Sequence, residues 1–182
     1  MEKLFKGLAT CMVCATLAPL HGSTLLQLSL NDMIRKSTSI VHGTAHRTYS
    51  AFHGSMIYSH YQIQVSETLK GSSVSQIDLF VPGGVAGGLQ QSYAGSPSLV
   101  EGQDYVIFLW ASKTGVTQII GLSQGLFAVT ANSTGQPIIV RAAASETMLN
   151  ASGQVVMDSD IKMLLSDLRT RVPQVLSGKV GP

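Results

Sequence analysis

Residues 56–69, MIYSHYQIQVSETL, alternate side-chain type with a period of two. Ile57, Ser59, Tyr61, Ile63 and Val65 fall on one side, and Tyr58, His60, Gln62 and Gln64 on the other. A strand places residues i and i+2 on one face, whereas a helix scatters them, so this stretch must be extended with one side drier than the other. SIVHGTAHRTY, from residue 39, repeats the pattern, with Val41, Gly43 and Ala45 set against His42, Thr44 and His46. QIDLFVP is a further strand, closed by Pro82 and the glycines after it. QDYVIFLWA carries apolar side chains on both faces, as a central strand buried on both sides requires. TQIIGL, LFAVT and QPIIVRA complete the set, with NSTG as a hairpin turn before the last.

Two segments follow helical rules instead. In LNDMIRKSTS, Asn31 is placed to cap a short turn that carries Met33 and Ile34. In DSDIKMLLSDLRTRV, Ile161, Leu164, Leu165 and Leu168 recur at helical spacing. Asp158 or Ser159 would cap that helix and Pro173 would stop it, giving a helix over about 158–172 and a flexible tail over 173–182. Six or seven short strands and one amphipathic helix predict a mainly β fold, as a small closed barrel or a sandwich.

The N-terminus adds an address. Lys3 and Lys6 precede GLATCMVCATLAPL, an apolar run too short to span a ~30 Å hydrocarbon core. That layout predicts a signal peptide over 1–22, with cleavage after Gly22 or Ser23, and a single β-rich domain over 23–182. Cys11 and Cys14, the only cysteines, then lie in the removed segment, where C-x-x-C is apolar filler rather than a redox or metal pair. Thr10 and Val13 before them fit a lipoprotein anchor poorly. An exported domain without thiols or disulfides suits a bacterial periplasm or cell surface better than an animal extracellular fluid. Charged residues make up 12% of the chain and the formal charge is +2, which leaves no basic stripe for nucleic acid and no polybasic membrane patch.

Three stretches could carry chemistry. Gly121-Leu-Ser123-Gln-Gly125 fits G-x-S-x-G, yet a strand rather than a helix is expected after it, and every histidine comes earlier in the chain. Ser123 is therefore read as part of a turn. PGGVAGG lacks the Lys-Ser/Thr of a phosphate loop, and residues 83–102 read as one long functional or mobile loop. His42, His46, His53 and His60 cluster in the chain. His42 and His46 share a strand face ~13 Å apart, and a hairpin could bring His60 opposite one of them to hold zinc or copper. A solvated polar strand face is the better account of them, and no carboxylate lies between 33 and 66 to support a metal site. Glu67, Asp78, Glu101, Asp104 and Glu146 stand isolated along the chain. Asn132-Ser-Thr134 and Asn150-Ala-Ser152 are N-glycosylation acceptors if a eukaryote exports the chain, and turn residues otherwise.

Ile40 to Ala45, Gln62 to Gly71 and Gly102 to Phe108 together resemble the netrin-like domain of tissue inhibitors of metalloproteinases. The resemblance spans roughly residues 37–130 and implies a small closed OB-like β-barrel. Those inhibitors chelate the protease zinc through an N-terminal cysteine and are pinned by disulfides, so their mechanism does not carry over to a mature chain expected to have lost Cys11 and Cys14. Val81 to Gly84, Tyr105 to Trp110 and Gly121 to Gly125 also resemble a group of exported bacterial proteins of unknown role, which implies no activity. The resulting expectation is an exported, non-enzymatic binding module without cofactor, presenting the 83–102 loop and adjacent strand faces to an envelope or secreted protein. The alternative is a metal-binding envelope protein using His42, His46 and His60, and the third reading is a serine hydrolase through Ser123.

Overall fold

The computed structural model describes residues 23–113 and 115–179; residues 1–22, where the sequence predicts a signal peptide, and the last three residues of the chain lie outside them. In chain order the elements are β1 (Thr24–Leu26), α1 (Leu30–Lys36), β2 (Ser39–His53), β3 (Met56–Lys70), β4 (Gln76–Pro82), β5 (Gly84–Ala86) and β6 (Leu89–Gln91). They continue with β7 (Asp104–Ala111), β8 (Thr117–Ile119), β9 (Leu126–Ala131), β10 (Pro137–Arg141), β11 (Thr147–Leu149), β12 (Val155–Val156), β13 (Ile161–Leu164) and α2 (Leu165–Leu176). The main sheet runs β13-β10-β9-β7-β2-β3-β4, with β8 added to β7, and two smaller sheets are β1-β11-β12 and β5-β6.

The fold is mainly β with a C-terminal helix, as the alternation predicts. Its hydrogen-bonded path is open, since β13 and β4 end it and no ladder joins them among the described residues. The central strands explain why the sheet takes both its faces out of water. Val41, Tyr61, Ile63, Leu79, Val81, Tyr105, Ile107, Leu109 and Ile119 pack together on the concave side. The intervening residues Ile40, Val106, Phe108, Phe127 and Ile139 face the other way and are covered by Met33 and Ile34 of α1 and by Leu165, Leu168, Val172 and Val175 of α2. β7 thus feeds two cores, Tyr105, Ile107 and Leu109 into one and Val106 and Phe108 into the other. That is the origin of its two-sided apolar sequence.

Three helix boundaries differ from the sequence reading. Ser29, not Asn31, caps α1: Asp32 N donates to Ser29 Oγ at 3.0 Å and Ser29 N to Asp32 Oδ2 at 3.3 Å. Asn31 is buried and accepts from Arg171 Nε at 2.9 Å, tying α1 to α2. Lys70 Nζ closes the other end of α1 on the carbonyls of Ile34, Arg35 and Ser37 at 2.7, 3.0 and 2.5 Å. The C-terminal helix begins at Leu165 rather than near 158, because Ile161–Leu164 pairs antiparallel with β10 as β13. Pro173 does not stop it. The helix runs through Pro173 to Leu176, so the tail is not loose from 173. Val172 and Val175 bury on either side of the proline and hold the last turn, while the carbonyl of Arg169, which loses its donor, belongs to an exposed residue. Among the described residues no helix is long and apolar enough to cross a membrane.

Candidate functional site

The β2–β3–β4 face turned away from the concave core carries His42, His46, His53 and His60, but in separate settings. His60 pairs across the sheet with Tyr49 on β2 and Phe80 on β4. Its ring stacks on Tyr49 at 4.3 Å and 13° and packs on Phe80 at 4.2 Å. His60 Nδ1 lies 3.2 Å from both carboxylate oxygens of Asp78. His53 makes edge contacts with Tyr58 and Phe80, both at 6.2 Å. His42 Nε2 lies 3.9 Å from Asp104 Oδ2, and Asp104 Oδ1 accepts from Thr44 Oγ1 at 2.5 Å. His46 is exposed opposite Gln62. Among the described residues no three His, Cys, Asp or Glu side chains converge as a metal site. The carboxylates that reading along the chain left isolated are supplied laterally, Asp78 from β4 and Asp104 from β7.

Glu67 is also partnered, accepting from Arg169 of α2 at 2.7 to 3.0 Å. The Arg169 guanidinium holds its carboxyl below the ordinary value against the opposing pull of burial. A second pair lies deeper. Arg141 Nη1 is 2.9 Å from Asp158 Oδ2, Nη2 donates to Asp158 Oδ1 at 3.0 Å, and both side chains are buried. Burial pushes the Asp158 carboxyl up, but the Ala144 N–H and the Arg141 guanidinium outweigh it, so it is held below its ordinary value. Sequence reading missed this pair and offered Asp158, or Ser159, as a helix cap. The one signal was an arginine ending the apolar run PIIVR.

Ser123 lies in a short 3-10 turn, Leu122–Gly125, between β8 and β9, and β9 follows at once. It borders an open cleft of about 400 Å³ with Tyr105, Arg141 and Glu146, and no histidine lines that cleft. The residue at work in GLSQG is Gln124, whose carboxamide is fully buried. Leu28 N donates to its Oε1 at 2.8 Å, and its Nε2 donates to Leu26 O at 3.0 Å. Gln124 thereby fastens the strand-and-loop segment before α1 to the sheet. The flanking glycines serve that geometry: Gly121 has φ +63°, and a Cβ on Gly125 would come within 2.8 Å of Ile120 O.

Residues 83–102, expected as one long loop, contain the β5–β6 hairpin. Gly87 and Gly88, at φ +57° and +76°, form its two-residue turn. The hairpin lies against β2 and β3, and Gly84 allows the approach, because a Cβ there would meet Ser50 Oγ at 2.6 Å and Ser59 Oγ at 2.7 Å. Ser59 Oγ donates to Gly83 O at 2.9 Å, Ile57 N to Gln91 Oε1 at 2.6 Å, and Gln91 Nε2 to Ser55 O at 3.1 Å. This ordered segment nevertheless leaves large apolar side chains in water. Val85 and Leu89 are each 59% exposed and Phe52, whose ring lies beside Gly87, is 47% exposed. Compared with protein-family models, with curated proteins and with solved structures, the chain matches none.

Proposed function

We propose that this chain is an exported, non-enzymatic binding protein that presents the β5–β6 hairpin and the adjoining end of β2–β3 to an envelope or secreted protein. The observation that carries the reading is Phe52 and Leu89, both exposed near the turn of an otherwise well-bonded hairpin, with Val85 exposed on the hairpin's other face. Apolar side chains held out by a fixed hairpin mark a contact surface, and a rigid surface loses little entropy on binding. Export rests on the N-terminal charge and hydrophobic layout. The OB-like closure belongs to the same proposal. β4 and β8 flank a crevice of only about 30 Å³, and Ile119 packs in one cluster with Leu79 and Val81. Side-chain packing across that seam supports a barrel shut without a ladder.

The test is co-purification from native envelope fractions with tagged protein and with the double variant Phe52→Ser/Leu89→Ser, both checked for an unchanged circular dichroism spectrum. A single dominant partner, captured by the parent chain and lost with the folded variant, is the expected result. Undiminished capture by the variant would overturn the assignment of the face. Labelling by a fluorophosphonate that depends on Ser123 would overturn the non-enzymatic reading.

A further inference from the structure

A further cavity, separate from that exposed apolar set, lies beneath the 83–98 segment on the concave side of β2 and β3. It measures about 340 Å³, and its lining includes Arg47, Tyr61, Gln91, Tyr93, Ser96 and Ser98, with no carboxylate. Part of its polar wall is already committed. Ser96 Oγ donates to Pro82 O at 2.5 Å, and Tyr93 OH donates to Gln91 Oε1 at 3.2 Å. Tyr61, Ser92, Ser98 and Arg47 are not. Tyr61 is only 5% exposed, yet its phenol has no hydrogen-bond partner among the described residues. Its ring is sunk into the core while its oxygen, which is not among the buried polar atoms left without a partner, opens onto the cavity, where a ligand hydroxyl can meet it. The Ser98 hydroxyl is likewise uncommitted, and Arg47 is exposed at the rim with no ion pair among the described residues.

One cation without a counter-charge, surrounded by hydroxyl and amide groups, selects an anion that also carries hydroxyls. The volume sits at the small end of ligand pockets, about 300–1,000 Å³, which suits one sugar ring rather than a peptide. We propose that this cavity binds a sugar acid, its carboxylate on Arg47 and its ring hydroxyls on Tyr61 and Ser98. A guanidinium takes a carboxylate through two parallel N–H donors, and free hydroxyls serve a polyol as donor or acceptor. The proposal goes beyond the protein-binding face and is independent of it.

Calorimetric titration of the purified protein provides the test, with D-glucuronate, tetragalacturonate, D-glucose and propionate as probes. Saturable binding of glucuronate is expected, with glucose and propionate each weaker by about tenfold or more. Arg47→Gln should weaken glucuronate by about tenfold, and Tyr61→Phe by about fivefold with an unchanged melting temperature. Ser98→Val, on an exposed residue, gives a second readout that does not depend on the core. Tighter binding of the tetramer than of the monomer would assign the ligand to an acidic polysaccharide, and the reverse to a free sugar acid; either retains the shared chemistry. Glucose or propionate binding as well as glucuronate, no saturation in the millimolar range, or an unaffected Arg47→Gln variant would overturn the proposal.

Discussion

Gln124 changes the meaning of GLSQG. The serine has the local letters of a nucleophile elbow, but the buried carboxamide beside it makes the two bonds that hold the Leu26–Leu28 backbone. Gln124→Ala would leave a buried N–H and C=O unpaired and should cost about 1–3 kcal/mol in urea unfolding, whereas Ser123→Ala should stay within about 0.5 kcal/mol. Arg141 and Asp158 make the sharper case. Asp158→Ala strands a buried guanidinium and should cost about 3–5 kcal/mol; Glu67→Ala, in a half-exposed pair with Arg169, should cost about 0–1 kcal/mol. Asp158 has a folded pKa below its unfolded value of 3.8, so its stabilisation is complete above that value and fades as pH falls through the folded one. An acid titration of stability below about pH 4 should therefore be shallower in Asp158→Asn than in the parent chain. None of these pairings was legible in sequence, because cross-strand partners such as His60 and Asp78 stand 18 residues apart with nothing local to mark them.

At the scale of elements, the period-two segments were readable and the junctions were not. The β2–β3 and β7 patterns carry into the structure because burial on alternate sides leaves its mark on every second residue. Residues 158–172 show the limit. Ile161 and Leu164 satisfy helical spacing, yet β10 needs an antiparallel neighbour and takes Ile161–Leu164 as β13. One device recurs. Asn132-Ser-Thr-Gly-Gln136 and Asn150-Ala-Ser-Gly-Gln154 build the same turn, in which the Asn Oδ1 accepts N–H groups two and four residues on, each at 2.9 Å. The first follows β9 and the second precedes β12, and each has a left-handed glycine, Gly135 at φ +77° and Gly153 at φ +76°. Asn132→Ala and Gly135→Ala should each destabilise by about 1 kcal/mol, and the matching changes at Asn150 and Gly153 by similar amounts, as read by thermal melts.

At the scale of the whole molecule, one sheet serves two cores and leaves one end decorated with apolar groups. The concave core is drawn from β2, β3, β4, β7 and β8, and the outer one is roofed by α1 and α2. Phe108 and Phe127, 5.4 Å apart between ring centres, anchor the outer core, and Phe127→Ala should cost about 3–5 kcal/mol in chemical unfolding. The sequence predicted a β fold with a terminal helix, but the covering of a second sheet face by helices depends on contacts such as Asn31 with Arg171, 140 residues apart. The proposed binding face was visible only as a glycine-rich stretch, since it takes the tertiary contact of Gly84 with Ser50 and Ser59 to turn that stretch into a fixed hairpin. Amide hydrogen exchange of the protein alone and bound to its captured partner tests that face most directly. Added protection concentrated in residues 84–93 and 49–53 is the predicted result; protection confined to the helices or to β9–β13 would contradict it.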